Sequence, residues 1–286
     1  MKKLLIVLMS TLLGSAAASA RSSTVWHNEA EDTTRIANIL TETYAMRYPS
    51  VSARTIAIAK QFIGTPYVAH TLEVEPEALV VNLDELDCTT FVDVVLALSY
   101  TVGERRMGWQ DFEYNLRRMR YRSGEINGYA SRLHYNCDWA MDNIHRGNII
   151  DVTTLTSKCF YQVRTIDYMS AHREDYPALA DSMTFERVLS IENGYRNHRF
   201  PYIKVNDLGS KEVLSVLREG DVVAFVSARK DLDVTHLGFL VKENEKLHVL
   251  HASSTDGKVE VSNVPLQEFV KRNRHWIGIR VYRLKQ

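Results

Sequence analysis

From Gly220 onward the chain is a succession of short apolar, β-branched runs separated by turn residues, and no other feature restricts the fold as much. Gly220-Asp221 precedes Val222-Val223-Ala224-Phe225-Val226. Thr235 to Val241, Leu247 to His251, Val259 to Val261 and Trp276 to Tyr282 follow, with one short helical stretch from Pro265 to Lys271. Runs this short, with turns between them, predict an antiparallel sheet. The preceding part of the chain reads differently. Helical periodicity covers Thr33 to Arg47, Ser52 to Ile63 with Ser52 as its cap, Cys88 to Tyr100, Gly108 to Arg122, and Tyr129 to Arg146 up to Gly147. β-branched residues from Ile149 to Arg164 suggest strands, and Asp175 to Ile203 mixes both signals. Helices first and consecutive strands afterwards define an α+β fold.

The first twenty residues form a separate unit. Lys2 and Lys3 precede an apolar run from Leu4 to Leu13, and Ala18-Ser19-Ala20 closes a stretch of small residues. This is the pattern of a secretory signal peptide over residues 1–20, and it is too short for a membrane span. The expected location is therefore exported and periplasmic, with residues 21–286 as a single domain. With 35 Lys+Arg against 35 Asp+Glu, the chain has no global field to attract nucleic acid. Export also bears on the three cysteines, Cys88, Cys137 and Cys159. Thiols tend to pair in an oxidising compartment, and an odd number leaves at least one free.

Asp87-Cys88-Thr89-Thr90 opens an apolar helix. A cysteine in a first helical turn faces unpaired N–H groups and the positive end of the dipole, which favours thiolate and makes Cys88 a candidate nucleophile. His236 interrupts an apolar strand two residues before Gly238, and His251 ends the next strand. Consecutive strands usually pair, which would bring the two histidines side by side. His248, three residues from His251, falls on the opposite strand face. The same His236 and His251 with a carboxylate suit zinc, but no compact ligand spacing accompanies them.

Taken in order, Gly64-Thr65-Pro66-Tyr67, Asp87-Cys88-Thr89, Gly220-Asp221-Val222-Val223, His236-Leu237-Gly238 and His251-Ala252-Ser253 resemble the NlpC-like branch of papain-related cysteine peptidases. Pro66 to Ala69 with Leu72-Glu73, Leu86 to Val92, and Ser131-Arg132-Leu133-His134-Tyr135 before Asp138-Trp139 are similar to one exported bacterial branch. The resemblance implies a papain-like NlpC-type core with a large insertion at roughly residues 103–219. It also implies N-acetylmuramoyl-L-alanine amidase activity on anhydro-muramyl peptides, with no cofactor and peptidoglycan fragments (disaccharide-peptides) as partners. Cys88 would attack, His236 would carry the proton and His251 would orient His236. Tyr67 would lie near the oxyanion, and Asp87 would touch the peptide. Cys137 and Cys159 are no part of the shared pattern.

Tyr129, Arg132, Tyr135 and Trp139 are spaced to share one helix face, and Arg132 in its middle needs an acceptor. They are the candidate substrate-binding residues. Two alternatives remain open at the level of sequence. One is an endopeptidase cutting between D-glutamate and diaminopimelate in the stem peptide. The other is a glycan-binding protein without catalysis.

Overall fold

The computed structural model describes residues 24–285. The expected signal peptide lies outside the described residues. The helical part begins with β1 (Val25–Trp26), α1 (Glu29–Ala45), α2 (Val51–Lys60) and β2 (Val80–Val81), and continues through α3 (Cys88–Gly103), α4 (Trp109–Arg120) and α5 (Asn136–His145). Then come β3 (Ile149–Asp151), β4 (Cys159–Arg164), α6 (Tyr168–Ala171), α7 (Ser182–Gly194), β5 (His198–Lys204) and α8 (Lys211–Leu214). The chain finishes with β6 (Val222–Ser227), β7 (Val234–Glu243), β8 (Lys246–Ser253), β9 (Lys258–Val261), α9 (Leu266–Arg272) and β10 (Trp276–Leu284). The fold is α+β, as the sequence predicts.

Among the described residues, β3 to β10 form one eight-stranded antiparallel sheet in the order β4-β5-β10-β6-β7-β8-β9, with β3 also pairing with β10. The segment between α3 and β6 therefore supplies three strands to the same sheet. One sheet face carries Ala224, Leu237, Phe239, Leu250 and Ala252 and packs on α1 to α5. The other face carries Val223, Phe225, Leu240 and Val249 and is covered by α8 and α9. Burial on both sides explains why β6 is apolar at consecutive positions rather than alternating.

Helix α3 is the centre of the larger core. Phe91, Val92, Val94, Val95, Leu96 and Leu98 are all essentially inaccessible. Each such side chain contributes about 1.5–3 kcal/mol of burial. Phe91 meets Phe239 of β7 edge-on, at 5.6 Å between ring centroids. Helix α3 is thus fixed against the strand that carries His236. Phe91→Ala would cost roughly 3–5 kcal/mol.

Two local expectations are corrected. Ser50, not Ser52, caps α2, its Oγ accepting from the Ala53 N–H at 3.1 Å. The helix expected from Tyr129 to Arg146 is broken. Tyr129–Ser131 is a single 3₁₀ turn, Arg132 is extended, and α5 starts only at Asn136. The break follows from long-range pairing: Arg132 bridges to Tyr121, and the Leu133 N–H donates to the Arg120 carbonyl at 3.0 Å.

The arginines at and just after the end of α4 are drawn into ion pairs. Arg120 is 3% exposed, and its Nε donates to Asp93 at 3.0 Å. Arg122 forks onto Asp138 at 2.8 and 2.5 Å. All three cysteines are free: Cys137 is buried, and Cys88 and Cys159 are half-buried.

Candidate active site

Asp87 caps α3 and thereby positions Cys88. Its Oδ1 accepts from the Thr89 and Thr90 N–H groups at 2.9 and 2.7 Å, while the Asp87 N–H donates to Thr90 Oγ1 at 2.8 Å. This capping box is local, so the sequence Asp-x-x-Thr suffices to specify it. Cys88 becomes the first helical residue. The Leu237 N–H from β7, its own N–H and the Thr89 hydroxyl all support the sulfur. Even so, the surrounding protein, and then the neighbouring Asp87 charge, push the thiol up to about 12. Desolvation thus works against the thiolate that the helix position favours.

The histidine pair arises from strand register. Phe239 pairs with Leu250, so one step further along β7 Gly238 faces His251. A Cβ on Gly238 would lie 2.8 Å from the Leu250 carbonyl oxygen and 3.0 Å from His251 Cβ. Only glycine lets the two strands approach with His251 in place. His236 shares the Gly238 face of β7, and its Nε2 lies 2.9 Å from His251 Nδ1. The rings stand perpendicular at 4.9 Å. His248 faces away and its Nδ1 contacts the Ser262 carbonyl at 2.8 Å.

Opposite His236 the ladder between β6 and β7 shifts register at Phe225 and Val226. Such a bulge re-aims the adjacent side chain. The His236 ring lies nearly parallel to Trp276 at 5.9 Å, and Trp276 is held by a 2.9 Å bond from Nε1 to Thr235 Oγ1. Burial lowers His236 to about 3 and His251 to about 4, against the pull of Asp256 on the latter. Both imidazoles are neutral at physiological pH.

Cys88 and His236 line one cavity of about 120 Å³, together with Val92, Asn136, Trp139 and Thr235. His236 also forms part of a second cavity of about 810 Å³, with His251, Asp256, Glu260, Arg274 and Trp276. The histidine pair thus sits between a narrow chamber holding the thiol and a wide polar one. Tyr67 is also close: burial and the charges of Cys88 and Asp87 push its phenol up to about 12.

The four candidate substrate-binding residues separate. Arg132 is 5% exposed and already has its acceptors. Its Nη2 donates to Glu73 at 2.9 Å, its Nη1 to the Leu72 carbonyl at 3.1 Å, and its Nε lies 3.4 Å from Glu77. Its guanidinium lies over the Tyr129 ring at 4.8 Å. The Tyr135 hydroxyl donates to Glu192 at 2.6 Å and accepts from the Met169 N–H at 2.8 Å. Arg132, Tyr129 and Tyr135 are therefore engaged inside the protein, and the shared face expected for them does not form. Trp139 alone of the four reaches the cavity with Cys88.

The sequence reading missed Asn136, Thr235 and Trp276. Strand order could not be inferred for Trp276, because β10 comes last in the chain yet lies beside β6. His134 also lines the Cys88 cavity, and its Nε2 contacts the Tyr129 carbonyl at 2.9 Å.

Comparison with known proteins then decides the family. A model described as AmiA-like, N-acetylmuramoyl-L-alanine amidase-like, matches residues 57–279. The chain belongs to this amidase-like family. It is 38% identical to an N-acetylmuramoyl-L-alanine amidase from Bacteroides uniformis, whose crystal structure superposes with a TM-score of 0.78 over 82% of this chain and 99% of that one. A Bacteroides fragilis structure carrying a provisional xylanase name is 37% identical, with a TM-score of 0.75 over 80% and 99%. A Legionella pneumophila protein at 22% identity shares the fold, with a TM-score of 0.69 over 91% and 97%. No curated protein matches the chain. Among the described residues, no helix is long and apolar enough to cross a membrane.

Proposed function

We propose that this amidase-like enzyme hydrolyses the amide between (anhydro-)N-acetylmuramic acid and L-alanine in muropeptides, using Cys88, His236 and His251 on a papain-like NlpC-type core. The observation that carries the reading is the convergence of Cys88 at the start of α3 and His236 on one cavity, with His251 2.9 Å from His236. Membership of the amidase-like family supplies the bond class.

His251 occupies Nε2 of His236, which leaves Nδ1 for the thiol proton. Because both groups rest neutral, the proton moves to His236 as sulfur attacks the lactyl carbonyl. The imidazolium then donates from Nε2 to His251 Nδ1, so the His251 proton sits on Nε2. The Cys88 N–H and the Tyr67 hydroxyl stabilise the oxyanion. The C–N bond breaks as His236 returns the proton to the departing alanine amine, leaving a muramoyl thioester. Water, deprotonated by His236, releases the acid and restores the thiol. Asp87 contacts the peptide portion with the carboxylate oxygen that does not cap α3. An export signal would place this chemistry in the periplasm, in cell-wall turnover or recycling.

The test is digestion of purified muropeptides by wild type and Cys88→Ala, with product masses read out. Release of a free peptide beginning with L-alanine supports the reading. Release of a disaccharide bearing L-Ala-D-Glu would instead assign the cut to the D-glutamyl–diaminopimelate bond.

A further inference from the structure

Asn136, the first residue of α5, lines the chamber that holds Cys88 and His236. Its Oδ1 accepts a hydrogen bond from the buried Tyr282 hydroxyl at 2.8 Å, which fixes the direction of the amide. Its Nδ2 is buried and has no acceptor. A buried donor left unpaired costs free energy, so its presence in a reactive chamber calls for an acceptor that arrives with the substrate. The chamber limits what that substrate group can be. At about 120 Å³ it is smaller than the roughly 150 Å³ apolar cavity that admits a benzene ring. A sugar ring does not fit, but a unit of a few heavy atoms does. Val92, Leu133 and Leu237 give it apolar walls, suited to a methyl group. The neighbouring 810 Å³ cavity is of a size for the bulky remainder.

We propose that the small chamber seats the short methyl-bearing unit beside the scissile amide, and that Asn136 Nδ2 donates to an oxygen of that unit, which makes Asn136 a specificity-determining residue. The proposal rests on the muramoyl–alanine reading above. Both sides of that amide offer the same chemistry, a methyl next to an oxygen-bearing carbon: the lactyl arm on one side and the alanyl residue on the other. Asn136→Asp keeps an acceptor for Tyr282 and deletes the donor. Asn136→Ser is neutral and shorter, and serves if the charged variant fails to fold.

The probes are anhydro-N-acetylmuramoyl-L-Ala-D-Glu, its glycyl counterpart, and its nor-muramoyl counterpart lacking the lactyl methyl. For the first, either variant, once shown to be folded, should lower kcat/KM about tenfold. In wild type, loss of the seated methyl should cost roughly fourfold, and loss of the other should cost little, which identifies the unit. Wild-type kcat/KM in a folded variant on all three probes overturns the proposal, as does wild type indifferent to both methyl deletions. If wild type leaves every muramoyl probe uncut, the amide reading itself has failed before any variant is compared, and the proposal falls with it.

Discussion

Arg132 and Cys88 both neighbour His134, through its charge environment and its cavity respectively, but the two clusters accommodate burial in opposite ways. Around Arg132 charge is matched with charge: Glu73 and Glu77 face the guanidinium, Tyr121 donates to Glu77 at 2.7 Å, and the Leu72 carbonyl takes a further N–H. Around Cys88 charge is removed. Burial raises the thiol and lowers His236, His251 and also His134, which the Arg132 charge lowers further. Matched charges become fixed structure, because separating them exposes an uncompensated ion. Neutral groups keep a proton that can still be moved. The difference separates buried polar groups locked by a charged partner from those that are not.

The sharpest division concerns what each cluster loses on truncation. Cys88→Ala should reduce turnover at least about 10⁴-fold, and His236→Ala nearly as far, since members of one catalytic unit act together. Thermal melting should be unchanged for Cys88→Ala. Residual turnover within tenfold of wild type would remove Cys88 from the nucleophile role. Arg132→Ala should do the reverse. It strands the almost fully buried Glu77, and unfolding stability should fall by about 3–5 kcal/mol in denaturant titration. The KM of the molecules that remain folded should not move. A raised KM at unchanged stability would restore Arg132 to substrate binding and erase the contrast.

The same contrast explains how much could be read in advance. The Asp87 cap, the position of Cys88 and the helices around it were legible because they depend on neighbours within one turn. His236 and His251 were legible because consecutive strands pair and side-chain parity is strict, so His248 could be set aside. The Tyr129 to Trp139 face was not. Its spacing fits a helix, but the backbone pairing of Arg132 with Tyr121, and of its side chain with Glu73 and Glu77 more than 50 residues away in sequence, overrides the local pattern. The aromatic wall behind His236 was hidden for the same reason, since Trp276 arrives from the last strand.

His251→Ala tests the neutral cluster from its second member. It removes the partner at 2.9 Å without touching the thiol, so a loss of roughly 10–100-fold in kcat is expected, by analogy with residues that orient a catalytic ligand. His248→Ala, on the other strand face, should leave kcat within experimental error. Equal losses at the two positions would show that strand parity does not separate a working histidine from a structural one.

The last expectation concerns pH, and it bears most directly on the neutral resting state. If burial holds the Cys88 thiol near 12 and His236 near 3, neither titrates between pH 6 and 9. The rate of inactivation by iodoacetamide follows the thiolate, so it should rise about tenfold per pH unit across that range with no plateau. Cys159, half-buried on β4 and also raised by burial, supplies the background, and Cys159→Ser removes it. A plateau beginning near pH 6 in the Cys159→Ser protein would mean a preformed thiolate beside an imidazolium. The charges of Cys88 and His236 would then be matched like those of Arg132 and Glu77, and the reactivity of the site would have to come from its opening onto the two cavities rather than from neutrality.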